Sequence, residues 1–135
     1  MKRKTKRKGL VKKLDDLHSK YVKARDKKCV TCGSTSYLQN SHRISRRHYA
    51  TRWCDVNCNT QCAKCHLSWH GGFVSAYNSY IETKHGEGTL EELERRGRLT
   101  ASECNLKKDY QLEELYEEIK GRYEELKILQ KQIIE

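Results

Sequence analysis

The 135-residue chain has no proline, one methionine and one phenylalanine. Lack of proline leaves helices uninterrupted and says nothing about function. Aliphatic residues are sparse through the middle, so that stretch can bury only a small core. Small cores often need a metal or disulfides. No apolar run is long enough for a signal peptide or a membrane span. This predicts a cytoplasmic protein with reduced thiols and no membrane partner. No internal repeat is visible, and the length suits one domain with appendages.

What the chain does have is cysteine, seven in all. The odd number argues against a closed disulfide set. Cys29-Val-Thr-Cys32 and Cys62-Ala-Lys-Cys65 are CxxC pairs, which under reducing conditions read as zinc ligands. Zn²⁺ takes four soft ligands in a tetrahedron, and a CxxC knuckle presents two thiolates from one side. Gly33 suits the turn after the first pair, and the second falls at an expected helix start, where the dipole favours thiolates. Cys54 and Cys58 form a second dense group with Cys62 and Cys65, so a swapped ligand is an alternative. Otherwise Cys54, Cys58 and Cys104 are small buried residues or free thiols.

Charge is the other excess. Residues 1–102 hold 22 Lys and Arg against 9 Asp and Glu, a net +13, whereas residues 103–135 hold 6 against 9, a net −3. The cationic part suits a polyanion such as DNA or RNA, with a solubilising surface as the alternative. The run from Met1 to Lys8, with Lys2, Arg3 and Lys4 at its head, is expected to be disordered when free. It would lie on phosphates or serve as a solvated tail.

Periodicity predicts the helices. Leu10, Val11, Leu14, Leu17, His18, Tyr21 and Val22 define an amphipathic helix over 10–27, with His18 packed rather than ligating. Residues 28–60 lack that period and read as a knuckle, short hairpins and loops. A short helix runs from about Cys62 to Gly71-Gly72. A second runs from about Phe73, with Tyr77, Tyr80 and Ile81 on one side, to His85-Gly86. Thr89-Leu-Glu-Glu92 and Thr100-Ala-Ser-Glu103 are capping-box patterns, opening a helix over 90–96 and the last helix. In that last helix Leu112, Leu115, Ile119, Leu126, Leu129 and Ile133 follow heptad a/d spacing, with Arg122 at one d position. It packs either on the N-terminal helix or on a second copy as a homodimer.

His66 and His70 are four residues apart, so on one helix they face the same side and can hold a divalent metal. Two surface histidines are the alternative. Upstream stand His42, in Ser41-His-Arg-Ile-Ser-Arg-Arg-His48, and Asn57, in Asn57-Cys-Asn-Thr-Gln-Cys62. With Ala50-Thr-Arg-Trp53, His70-Gly-Gly, Tyr77 and Lys84-His85-Gly86, these residues resemble the NinG/Rap family of lambdoid phage recombination proteins. That family is of the HNH, ββα-metal endonuclease type, and the similarity spans roughly residues 10–97.

The resemblance implies an α+β fold: a small zinc-stabilised HNH-like domain flanked by helices, with a long C-terminal helix. Residues 1–9 would be a basic tail, 10–99 the nuclease domain and 100–135 the C-terminal helix. It implies a structure-specific endonuclease acting on branched DNA such as Holliday junctions and D-loops, in a bacterial host cell. His42 would be the general base and Asn57 would orient it or its loop. His66 and His70 would hold Mg²⁺ or Mn²⁺, separate from the structural Zn²⁺. Ser41 stands where many such enzymes carry an Asp or His ligand. Asp55 is the first candidate to replace it, with a loop-capping role as its alternative, and Asn40, Asn59 or water as other sources. Arg43, Arg46, Arg47 and Arg52 would clamp phosphates, while Trp53 and Trp69 either pack or stack on a base. A non-catalytic zinc module that binds DNA or a recombination partner is the competing expectation.

Overall fold

A computed structural model describes residues 2–134, with side chains described for 4–133. The described residues form six helices and one two-stranded sheet, in the order α1 (Lys2–Asp26), β1 (Leu38–His42), α2 (Tyr49–Arg52), β2 (Cys58–Cys62), α3 (Ala63–His70), α4 (Ser75–His85), α5 (Thr89–Gly97) and α6 (Asp109–Ile134). The fold is therefore α+β with a long C-terminal helix.

α1 buries Leu14, His18 and Val22 completely, at successive i,i+4 positions of one face. Leu14 joins Trp53, Leu112 and Ile119 in the core, against which Leu10, Val11, Leu17, Tyr49, Leu106, Leu115 and Tyr116 pack. α6 thus lies along α1 of its own chain. Arg122, at the polar d position, reaches past the seam to Asp55 at 3.4 Å and covers the Tyr21 ring.

The basic tail expected over 1–9 is instead the first turns of α1, which begins at Lys2. Lys and Arg are good helix formers, and the acidic start of α6 holds this segment. Arg7 pairs with Asp109 at 3.0 Å and donates to Leu106 O at 2.9 Å, and Lys6 pairs with Glu113. The Lys2 and Arg3 side chains, expected at DNA, lie outside the described residues. Lys4 is exposed beside Lys107 and Lys108 in a pocket of its own.

β1 and β2 pair antiparallel, with Leu38 opposite Cys62 and His42 opposite Cys58. β2 is buried along its whole length although three of its five residues are amides or hydroxyls. Each side chain finds at least one partner, as buried polar groups generally do, although Gln61 Oε1 is left unbonded. Asn59 bonds Tyr77, His85 and Val56 O, Thr60 bonds Val22 O, and Gln61 bonds Thr31. The Asp26 carboxylate also accepts the Thr60 N–H at 2.8 Å, tying the end of α1 to β2.

Two capping expectations change. At Thr89 no box forms; the Glu82 carboxylate from α4 accepts the Thr89 N–H, and Glu92 pairs with Arg95. At Thr100 the box does form, with both reciprocal bonds. It closes only a turn over 101–105, because Asn105 takes a left-handed φ of 60°. α6 starts later, at Asp109.

Candidate functional site

The four thiols of Cys29, Cys32, Cys62 and Cys65 lie within 4.8 Å of one another. Zinc–thiolate bonds of about 2.3 Å in a tetrahedron require S···S near about 3.8 Å, and Cys32 Sγ is 3.7 Å from Cys62 Sγ. The backbone builds this from both ends. Gly33 at φ +79° closes the first knuckle, its N–H donating to Cys29 O at 2.9 Å. Cys62 is the N-cap of α3, so the second knuckle opens the helix. Val30 N–H donates to Thr60 O and Ala63 N–H to Tyr37 O, docking each knuckle on the opposite strand. Burial raises the Cys29 thiol, but bonds from the Thr31 hydroxyl and nearby backbone bring it down to about 6. The Thr31 hydroxyl lowers Cys65, yet burial and three neighbouring thiols hold it up at about 12. One negative charge among four thiols penalises the next, the condition a bound cation relieves. The cluster can hold one structural zinc.

Among the described residues no other group of three or more such ligands converges in this way. Cys58 is buried, its thiol donating to Arg52 O and pushed well up by desolvation. Cys54 sits by Arg96, and Cys104 closes on Ala101 O. The swapped ligand set does not occur.

The second site is an open cleft of about 1130 Å³ along the free edge of β1. His42, His66 and His70 all line it, with Arg43, Arg46, Arg47 and Lys23. The strand pleat sends successive side chains to opposite faces. Ser41 and Gln39 point toward α3, and His42 points away, toward the 43–57 connection. His42 Nε2 lies 2.9 Å from Arg52 O. A carbonyl only accepts, so Nε2 carries the proton and Nδ1 keeps the lone pair. Burial depresses His42 to about 4, with His18 and Arg46 adding to the effect, so the ring is neutral at pH 7.

Asn57 holds the chain that follows His42. Its buried amide accepts from Ile44 N–H at 2.7 Å and donates to Thr51 O at 2.9 Å and Ile44 O at 3.1 Å. It therefore orients the loop rather than the imidazole itself.

On α3, His66 and His70 present Nε2 atoms 3.1 Å apart. Two nitrogens on one ion at about 2.1 Å would be separated by about 3.0–3.4 Å, so the pair fits two positions of a divalent ion. His66 Nδ1 is 2.7 Å from Gln39 Oε1, which directs the Nε2 lone pair of His66 toward His70. This is the outer partner that ligating imidazoles ordinarily have. Nothing in the sequence marks Gln39; only the packing of β1 on α3 brings it there. Burial, then the His70 charge, lowers His66.

Several expected roles are redistributed. The Ser41 hydroxyl accepts the Trp69 Nε1–H at 2.9 Å, so Trp69 engages the position where the resemblance leads one to expect a metal ligand. Trp69 also stacks on His70 at 4.1 Å and lies under the Arg43 guanidinium. Trp53 packs in the core. Asp55 does not line the cleft. It lies between α1 and α6, where the His18 imidazole at 3.0 Å and the Arg122 guanidinium at 3.4 Å hydrogen-bond it. Asn59 is buried and engaged elsewhere, whereas Asn40 lines the cleft with its Oδ1 buried and unbonded. Arg52 is not a free phosphate clamp, since Asp15 of α1 binds it through two contacts of 3.0 and 2.6 Å. Asp15, also unmarked in the sequence, accepts the Trp53 indole N–H as well. Arg43 is anchored to Asn78, and Arg46 and Arg47 are exposed.

No family model matches the chain, and comparisons with curated proteins and with solved structures find no match. No helix among the described residues is long and apolar enough to cross a membrane.

Proposed function

We propose that this protein is a metal-dependent endonuclease of the HNH, ββα-metal type that cleaves phosphodiester bonds in branched DNA. The observation that carries this reading is one cleft lined by His42 of β1 and by His66 and His70 of α3. The hairpin of β1 and β2 followed directly by α3 is the β-β-α order such a site requires.

Arg43, Arg46 and Arg47 bind phosphates on either side of the scissile bond. His42 takes a proton from the attacking water at Nδ1 while Arg52 O holds the opposite N–H, and Asn57 keeps the loop in place. His66 and His70 would hold a catalytic Mg²⁺ or Mn²⁺, with Gln39 fixing the tautomer of His66. Bound there, a divalent ion would supply charge stabilisation for the reacting phosphate and its leaving group. The zinc-binding thiols take no part in cleavage.

A second reading rests on Ser41. Its hydroxyl is taken by Trp69, so the histidine pair gains no third ligand from that position. This favours a non-catalytic zinc module that binds DNA or a recombination partner. A cleavage assay on a labelled four-way junction and a matched duplex, in Mg²⁺ or Mn²⁺, separates the two. Wild type is expected to cut the junction and His42→Ala to lose cutting. Gln39→Leu is expected to weaken Mn²⁺ binding, read by electron paramagnetic resonance, about 10–100-fold. Equal cutting by wild type and His42→Ala would overturn the base assignment. Tight junction binding by wild type without cutting would leave the second reading.

A further inference from the structure

Seven large apolar side chains stand more than half exposed among the described residues. Four of them, Tyr110, Ile128, Leu129 and Ile133, belong to α6. The other three are Tyr37 at 85 %, Leu67 at 75 % and Phe73 at 78 %, and the backbone attaches all three to α3. Tyr37 O accepts the Ala63 N–H at 3.0 Å, at the start of the helix. Leu67 lies one turn beyond Ala63. Phe73 follows the Gly71-Gly72 turn, and its N–H donates to Ser68 O at 3.1 Å.

At about 100° per residue, the α3 side chains fall in a definite order around the helix. Trp69 faces the sheet, His66 and His70 come next, and Ala63 and Leu67 follow on the side away from the sheet. Leu67 therefore borders the histidine pair around the helix, while Tyr37 and Phe73 stand exposed at its two ends. Tyr37 also holds a left-handed φ of 54°, a conformation that suits glycine or asparagine far better than a bulky aromatic. It packs against little in return. Such an outlier points to function.

Charge selects the partner. From Lys27 to Ile81 the sequence has seven Lys and Arg and a single acid, Asp55, which His18 and Arg122 occupy; Asp15 and Asp16 of α1 also line the cleft but are held by Arg52 and Lys12, which leaves Arg46 and Arg47 as its exposed cations. A surface of exposed apolar groups beside unopposed cations fits a ligand with flat apolar faces on an anionic backbone. Unpaired nucleotides are such a ligand. A continuous duplex keeps its base faces stacked inside and offers only the charge.

We infer that Tyr37, Leu67 and Phe73 form a rim that receives unstacked bases at a DNA branch, next to the cleft that holds the backbone. The rim is what makes the protein prefer branched over linear DNA. This rests on the nuclease reading for the place of the backbone, and it is tested by binding, which does not need cleavage.

The experiment uses the zinc-loaded full chain in Ca²⁺, a splayed fork carrying 2-aminopurine at the branch, and a matched duplex. Wild type is expected to bind the fork about tenfold or more tighter than the duplex, the scale of one stacked base, and to raise 2-aminopurine emission by unstacking it. The triple variant Tyr37→Ser, Leu67→Ser, Phe73→Ser is expected to lose both the preference and the emission change while duplex affinity stays within about twofold. If the triple variant fails to retain zinc, Leu67→Ser alone carries the test with the same expected direction. Leu67→Trp, which adds a stacking face, is expected to tighten the fork complex. Retention of fork preference by the serine variants would overturn the inference. So would a wild type that binds both DNAs equally, or serine changes that abolish binding to phosphatidylserine vesicles and leave DNA binding intact. Absence of cutting in Mn²⁺ with fork preference intact would count against the nuclease reading alone.

Discussion

The amide of Asn57 makes the most exposed wager about how this site is built. It is completely buried and satisfies three backbone groups, Ile44 N–H, Ile44 O and Thr51 O. Asn57→Ala removes three hydrogen bonds, each worth about 1 kcal/mol net, and leaves the Ile44 N–H unsatisfied at a further cost of about 1–3 kcal/mol. With some water entering the vacated space, the loss should be about 3–5 kcal/mol. That is a large share of the roughly 5–15 kcal/mol a domain has, and at this length it lowers Tm by about 10–20 °C. Asn57→Asp keeps the acceptor for Ile44 N–H but sets a carboxylate against two carbonyls. Its folded-state pKa would be raised, so its stability deficit should shrink as pH falls below that value. Urea unfolding of the zinc-loaded protein measures the loss, and amide exchange at Ile44 shows whether the loop has been released. A loss under about 1 kcal/mol, with Ile44 still protected, would refute the clamp.

Two further outcomes follow from the site. Zinc should bind near one per chain and be lost in Cys29→Ser, and a chelator should unfold the region over 28–70, since structural zinc contributes on the order of 10 kcal/mol; full retention of near-ultraviolet dichroism without metal would exclude the staple. His42 is depressed from 6.5 to about 4, so the unfolded chain binds the extra proton between those values. Its contribution is fully present above about pH 6.5 and is lost as pH falls toward 4, a difference of about 3 kcal/mol at 1.36 kcal/mol per unit. His42→Gln keeps a donor for Arg52 O without the titration, so the gap between its urea midpoint and that of wild type should narrow on acidification, and parallel curves would show that the imidazole is not buried.

How much of this could be read in advance depended on whether a signal was local. The glycines after α3 and α4, the first heptads of α6 and the CxxC spacing are carried by residues a few positions apart and appear where expected, whereas Leu129 and Ile133 at the end of the heptad pattern stand exposed. β2 was not legible as a buried strand. Its Asn, Thr and Gln look solvent-facing until Tyr77, Val22 O and Thr31 are known to meet them. Arg52 and Asp55 differ from expectation for the same reason. Sequence neighbours point each toward the site, but its partner comes from tens of positions away: Asp15 for Arg52, and His18 and Arg122 for Asp55. Local pattern shows that a residue is charged; only packing decides which opposite charge reaches it first.

The same distinction changes what zinc is understood to do. The thiol cluster fixes the knuckle over 29–33 to the start of α3, and so sets where His66 and His70 stand. It does not hold the His42 side of the cleft. That side depends on Asn57 within the 43–57 connection, and on Asp15, which grips Arg52 from α1. Because the Arg52 carbonyl also fixes the His42 tautomer, α1 sets the state of His42 through one residue. Asp26 adds a second hold, on the Thr60 N–H of β2. The central region is nearly without acids of its own, and the carboxylates that order it come mainly from this helix. Zinc alone would therefore assemble only half of the cleft, the half bearing His66 and His70. The other half exists because α1, itself braced along α6, carries Asp15 into contact with Arg52.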